Sequence, residues 1–118
     1  MDTTHYGADA TPGGDGYREK TALSYHVYCP WIQTDVPGTS SGELKEKLCE
    51  KFNKWQFGIR HDDTKRLKVA GILSEFGAVD AKNPAMQKFL DFTMNAMDSQ
   101  QHSWTYWYMH PQEDGKNP

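Results

Sequence analysis

Apolar and polar positions alternate along the chain in blocks of two kinds. Residues 21–29 are dense in aromatic and β-branched side chains and stop at Pro30, which predicts a strand. After a loop over residues 30–42 carrying Pro37-Gly38, Leu44, Leu48, Phe52, Trp55 and Ile59 recur at three- and four-residue steps. That spacing predicts a helix from Gly42 or Glu43 toward Leu67, with Gly58 as a candidate break, capped by Ser40 or Ser41, with this stripe inward and Lys45, Glu46, Lys47, Glu50 and Lys51 in solvent. Residues 68–78 form an apolar run without clear alternation, as suits a strand buried on both faces. Asn83-Pro84 then opens a second helix to about Gln100, with Met86, Phe89, Leu90, Thr93, Met94 and Met97 as its inner stripe. Residues 103–109 predict a last strand, with Trp104, Tyr106 and Tyr108 on one face and Thr105, Trp107 and Met109 on the other.

The order strand, helix, strand, helix, strand, with helices long enough to cross a sheet, predicts an α/β fold: a parallel βαβαβ unit with right-handed crossovers. Residues 1–20 form a polar, Gly-rich N-terminal segment, residues 21–109 the folded unit and residues 110–118 a polar tail. Thr11-Pro12-Gly13-Gly14-Asp15-Gly16 has the glycines of a phosphate cradle, but no Gly-Lys-Ser/Thr follows, so a surface loop is expected.

Composition narrows the function classes. A chain of 118 residues suits one modest domain. A formal charge of −3 gives no reason to expect nucleic acid or an anionic membrane as partner. No stretch approaches the ~18–20 apolar residues of a membrane span, and the N-terminus Met1-Asp2-Thr3-Thr4-His5 lacks the regions of a signal peptide. If the chain is part of a longer one, such a signal would lie elsewhere, and a secreted or lysosomal-type compartment stays open. Cys29 and Cys49 match no zinc or redox spacing. Buried thiols are the expectation, and a disulfide is the alternative.

Glu75 is the residue that needs a reason, because it ends an apolar strand. In parallel α/β architectures the carboxyl ends of strands are where side chains meet ligands. His26 and Tyr28, two apart at the end of the first strand, point to one face. The plainer reading is a core histidine and a packed ring. The recurrence of polar groups at strand ends favours a site.

Ser24-Tyr25-His26-Val27-Tyr28-Cys29, Ile72-Leu73-Ser74-Glu75-Phe76-Gly77-Ala78 and Ser103-Trp104-Thr105-Tyr106-Trp107 together resemble strands six, seven and eight of a clan-A glycoside hydrolase of family 5. Within that family the likeness is greatest to endoglycoceramidases, (β/α)8 TIM barrels that release the glycan of a glycosphingolipid, and it extends through Pro12-Gly13-Gly14. The resemblance implies an incomplete barrel with Glu75 as catalytic nucleophile, His26 and Tyr28 as substrate-site residues beside it, and Trp104 as the indole under the cleaved sugar. It implies a glycan or glycolipid substrate, with no metal and no cofactor.

Such enzymes pair the nucleophile with a second carboxyl about 5 Å away that protonates the leaving oxygen and then activates water. In family 5 that acid/base lies in an Asn-Glu-Pro motif on strand four, and the sequence holds no Asn-Glu-Pro. Asp35 and Asp80, in loops on the same side, occupy no motif position. The chain alone is therefore expected to be inactive. Strands cut from a barrel expose sheet edges, which predicts as partner the missing N-terminal barrel half or a second copy. The alternatives are a non-catalytic glycan- or glycolipid-binding protein of the same fold, and an unrelated α/β domain in which Glu75 is a structural acid.

Overall fold

The computed structural model describes residues 10–29, 42–77 and 84–107. They form a 3-10 helix (Asp15–Lys20), β1 (Ala22–His26), α1 (Gly42–Leu67), β2 (Ala70–Gly77), α2 (Pro84–Gln100) and β3 (Ser103–Trp107). The strands make one parallel sheet in the order β1-β2-β3. The expected βαβαβ order is met, with shorter strands than the sequence pattern suggested. The 3-10 helix stands where a plain loop was expected, and none of its residues is buried. Asp35, Asp80 and the tail from residue 108 lie outside the described residues.

Both helices cover one face of the sheet. Tyr25 and Val27 from the β1 side, Leu73 and Phe76 from β2, Phe57 from α1 and Met97 from α2 form the main buried cluster. The two helices end alike. Lys68 and Gln101 take the left-handed conformation (φ 55° each) just past the last helical residue. The next amides, of Val69 and His102, donate back to Thr64 O (3.1 Å) and Met97 O (3.0 Å). This satisfies carbonyls the helix end would orphan and turns the chain directly into β2 and β3.

The buried face of α1 differs from the one its apolar spacing predicts. Cys49, Asn53, Gln56, Phe57, Arg60, Asp63, Thr64 and Leu67 are buried, whereas Leu44, Leu48 and Trp55 are exposed and Phe52 and Ile59 half-buried. The charged members of the buried face pair with one another, whereas both polar side-chain atoms of Asn53 are buried without a hydrogen-bond partner. Asp63, fully buried, lies 3.3 Å from Arg60 Nη1 and 3.2 Å from Arg66 Nη2. Hydropathy alone misplaces such a face, because a buried charge is tolerated once paired. On α2 the expected stripe is largely met, with Phe89, Thr93 and Met97 buried.

At the amino ends of the strands, His102 is buried between Tyr25, with Oη 2.7 Å from its Nδ1, and Thr64, with Oγ1 3.4 Å from its Nε2. Its ring also occupies the space a side chain at position 71 would take: a Cβ on Gly71 would come within 2.6 Å of it. Burial, and then the neighbouring His61, push the His102 pKa down, so the folded state favours neutral imidazole. Stability linked to His102 is therefore complete above the ordinary histidine value of ~6.5 and is lost as pH falls below it. Melting temperatures measured from pH 8 to pH 5 should decline below about 6.5, and His102→Gln should flatten that decline.

Cys29 and Cys49 are joined in a disulfide with a Cα separation of 5.5 Å, packed with Phe89. This corrects the expectation of two buried thiols. Sequence spacing cannot report the Cα separation, which the fold supplies by bringing the chain after β1 against the start of α1. Closing a loop of this length contributes about 3 kcal/mol in the chain-entropy account. A Cys29→Ser/Cys49→Ser double variant should lose about that much in urea titrations, and adding reductant to the wild-type chain should reproduce the loss.

Candidate active site

The site is made by an irregularity in β2. Across the β1–β2 ladder, Tyr25 faces Leu73 but His26 faces Glu75. Across the β2–β3 ladder, Leu73 faces Trp104 while Phe76 faces Tyr106. Relative to both neighbours, β2 carries one extra residue around Ser74-Glu75, a β-bulge. Strict alternation would put Glu75 on the same face as Leu73 and turn Phe76 away from it. With the bulge, Leu73 and Phe76 both reach the helix-covered core. Glu75 is turned instead toward the uncovered face, a re-aiming that bulges provide beside active sites.

Hydroxyl groups replace the interrupted ladder. Ser74 Oγ donates to Tyr25 O at 3.4 Å and lies 2.5 Å from Ser24 Oγ, while Thr105 Oγ1 donates to Ser74 O at 2.6 Å. These contacts tie all three strands at the level of the bulge. Gly77 closes the strand at φ 137°, and a Cβ there would collide with the carbonyl of Trp107, so position 77 admits only glycine.

On the uncovered face the Glu75 carboxylate has two partners from the end of β1. Tyr28 Oη donates to Glu75 Oε2 at 3.3 Å, and His26 Nδ1 lies 3.3 Å from the same oxygen. The Tyr28 pKa is raised, by burial first and then by the charge and hydrogen bond of Glu75. The phenol thus stays a donor to the carboxylate through neutral pH. The Glu75 side chain is 30% exposed, which leaves room for an incoming molecule.

Of the residues singled out in the sequence, Glu75, His26 and Tyr28 come together. Trp104 stands elsewhere. It is opposite Leu73, with its ring edge-on to Phe76 at 5.7 Å, and Tyr106 meets the same ring at 5.5 Å. Both are thus on the core side of β3. By alternation the tryptophan on the Glu75 side is Trp107, exposed at the carboxyl end of β3 and opposite Gly77. The sequence contained the signal for this, since the pattern 103–109 already separates Trp104 from Trp107. Among the described residues, no group of three or more His, Cys, Asp or Glu side chains is placed to hold a metal ion. No helix among them is long and apolar enough to cross a membrane.

A family model described as cellulase, glycosyl hydrolase family 5, matches residues 2–113. The chain is 32% identical over 102 residues to an endoglycoceramidase of Cyanea nozakii, a match covering 86% of the chain and 16% of that protein. The chain thus spans about a sixth of that relative's length. No solved structure matches. The family fold is the TIM barrel, of which three parallel strands with their two covering helices are a part. With a family match across nearly all its length and a relative 32% identical over most of it, the chain belongs to glycosyl hydrolase family 5.

Proposed function

We propose that the chain supplies the nucleophile-bearing part of a retaining glycosidase acting on O-glycosidic bonds, with glycosphingolipids as the substrate class. The observation that carries the reading is the convergence of Tyr28 Oη and His26 Nδ1 on one oxygen of Glu75. Both engage Oε2, so Oε1 is the oxygen free to attack an anomeric carbon. The new carbon–oxygen bond replaces the bond to the leaving glycosidic oxygen, which takes its proton from a second carboxyl. Water, deprotonated by that same group, then releases the sugar. Trp107 is the better placed of the two tryptophans to cover the apolar face of the sugar ring, and Trp104 supports the strand from behind through Phe76. The substrate class rests on the likeness to the Cyanea nozakii endoglycoceramidase.

The second carboxyl has to come from outside the chain, because no Asn-Glu-Pro occurs in it. That absence favours one other reading, a protein that holds a glycan or glycolipid without cleaving it. The two separate in one assay. The chain is combined with the portion of the Cyanea nozakii protein preceding its matched segment, and glycan release from a glycosphingolipid is measured. The glycosidase reading expects release by the pair and, with leaving-group protonation worth ~10²- to 10⁴-fold, little by the chain alone. Binding of the glycolipid with no release by the pair establishes the non-catalytic reading instead.

A further inference from the structure

Tyr28, the donor to Glu75, stands beyond the end of β1, and the residues on either side of it are each tied to a different part of the fold. Tyr25, Val27 and Cys29 are all buried on the helix-covered side, so alternation sends His26 and Tyr28 to the open face. Just before Tyr28, the Val27 amide donates to Glu75 O at 3.1 Å. Just after it, Cys29 is bonded to Cys49. Glu75 thus meets this segment twice, through its carbonyl at Val27 and through its carboxylate at Tyr28. His26 is placed differently, because it lies inside β1 and is paired with Glu75 in the β1–β2 ladder.

The far end of the disulfide is a firm anchor. Cys49 lies about two turns into α1 and is buried against Phe89 of α2. The two helices are held together around it by Lys88 Nζ, 2.8 Å from Glu46, and by the rings of Phe57 and Phe92, 6.2 Å apart. The bond therefore fixes the chain after Tyr28 to the helix layer, as the Val27 amide fixes the chain before it to β2. The side chain between these two ties is a long lever, since a small rotation of the backbone at position 28 moves the hydroxyl further than it moves Cα. The contact that hydroxyl makes with Glu75 Oε2 is 3.3 Å long, near the outer limit of a hydrogen bond, so a further displacement of about 0.3 Å removes it.

We propose that Cys29 and Cys49 are positioning residues for Glu75: their disulfide seats Tyr28 so that its hydroxyl holds Oε2, whereas His26 is seated by the strand ladder. The catalytic consequence rests on the glycosidase reading. With Tyr28 seated, two groups hold Oε2 and Oε1 is presented to the anomeric carbon. With Tyr28 displaced, the carboxylate keeps His26 alone of these two and turns more freely about its Cγ–Cδ bond, so fewer encounters find the attacking oxygen aligned. The sulfurs themselves stay on the helix side of the sheet, away from the face that meets the sugar.

The test reads Tyr28 and His26 separately and without hydrolysis. The full 118-residue chain is isotope-labelled at tyrosine Cζ and at the histidine ring nitrogens, and the two NMR signals are assigned from Tyr28→Phe and His26→Gln. The displacement that Glu75→Gln causes in each signal is measured with the disulfide intact, after reduction by a phosphine, and in Cys29→Ala/Cys49→Ala. With the bond intact both signals should be displaced. Without it the Tyr28 displacement should fall several-fold while that of His26 remains. A Tyr28 displacement of undiminished size without the bond overturns the proposal and leaves the disulfide a stabiliser of the fold alone. Loss of both displacements together overturns it, as does a Tyr28 signal that ignores Glu75→Gln while the bond is intact. If the reduced chain loses its folded circular dichroism spectrum the alanine variant decides, and if that variant unfolds as well, the bond holds the whole unit and the proposal fails. Catalysis is read apart from the spectra, in the pair formed with the portion of the Cyanea nozakii protein preceding its matched segment. Removing the bond there should lower kcat about 10-fold with KM unchanged, the scale of one hydrogen bond to a charged group, and an unchanged kcat overturns the positioning role. No glycan release by the intact pair rejects the glycosidase reading, while the spectra still decide what seats Tyr28.

Discussion

Replacing Glu75 with Gln should abolish hydrolysis in any assembly that contains the complete active site, while leaving glycolipid affinity within a few-fold of wild type. The substitution keeps the volume and the capacity to accept a hydrogen bond from Tyr28 and removes the negative charge that makes the oxygen a nucleophile toward carbon. The bulge and its hydroxyl contacts use the backbone and side chain of Ser74, not the carboxylate, so they should survive. The loss should reach roughly 10⁴-fold or more, between the scale for losing a proton-transfer group and that for losing a protease nucleophile. Rates and equilibrium binding measured on the same preparation check it. A variant that retains turnover would sink the nucleophile assignment, and one that loses binding in proportion to rate would point to a structural role for Glu75.

Phe76→Ala should carry the largest stability cost of any single truncation, about 3–5 kcal/mol on the scale of buried aromatic deletions. Phe76 is fully buried, packs in the main cluster, and receives the edges of both Trp104 and Tyr106. Its removal would leave β3 without the ring that its two aromatics meet. For a three-stranded unit of this size a loss of that order is a large share of the ~5–15 kcal/mol typical of whole domains. Urea titration followed by tryptophan emission measures it. Phe76→Leu, which keeps most of the apolar volume, should recover the greater part. Because Phe76 follows Glu75 in the bulged strand, the alanine variant should also disturb the carboxylate, so both stability and rate would fall.

The elements were legible because their signals are local: β-branched and aromatic runs, Pro30 as a stop, and Asn83-Pro84 as a start. Glu75 stood out as a carboxylate ending an apolar strand, and His26 and Tyr28 as neighbours on one face. The orientation of α1 was not legible. Its sheet-facing side holds Asn53, Arg60 and Asp63, whose burial depends on partners or on packing that no hydropathy pattern encodes. The bulge was hidden for a related reason. One extra residue in β2 shows only when β1 and β3 are laid beside it, and it decides which residues share the Glu75 face. The disulfide likewise depends on a distance between segments that the chain order leaves open.

The bulge also divides β2 dynamically. Against β1, regular pairing holds Ala70 to Leu73 and resumes at Glu75, whose carbonyl accepts the Val27 amide at 3.1 Å; against β3 it resumes only at Phe76, so Ser74 is the residue secured by hydroxyl contacts in place of regular pairing. Local openings are drawn from such weakly laddered stretches, while the flanking rungs open only with the whole sheet. The carboxylate therefore sits immediately beside a seam at Ser74 that can fluctuate on its own, between two stretches of strand that hold their register.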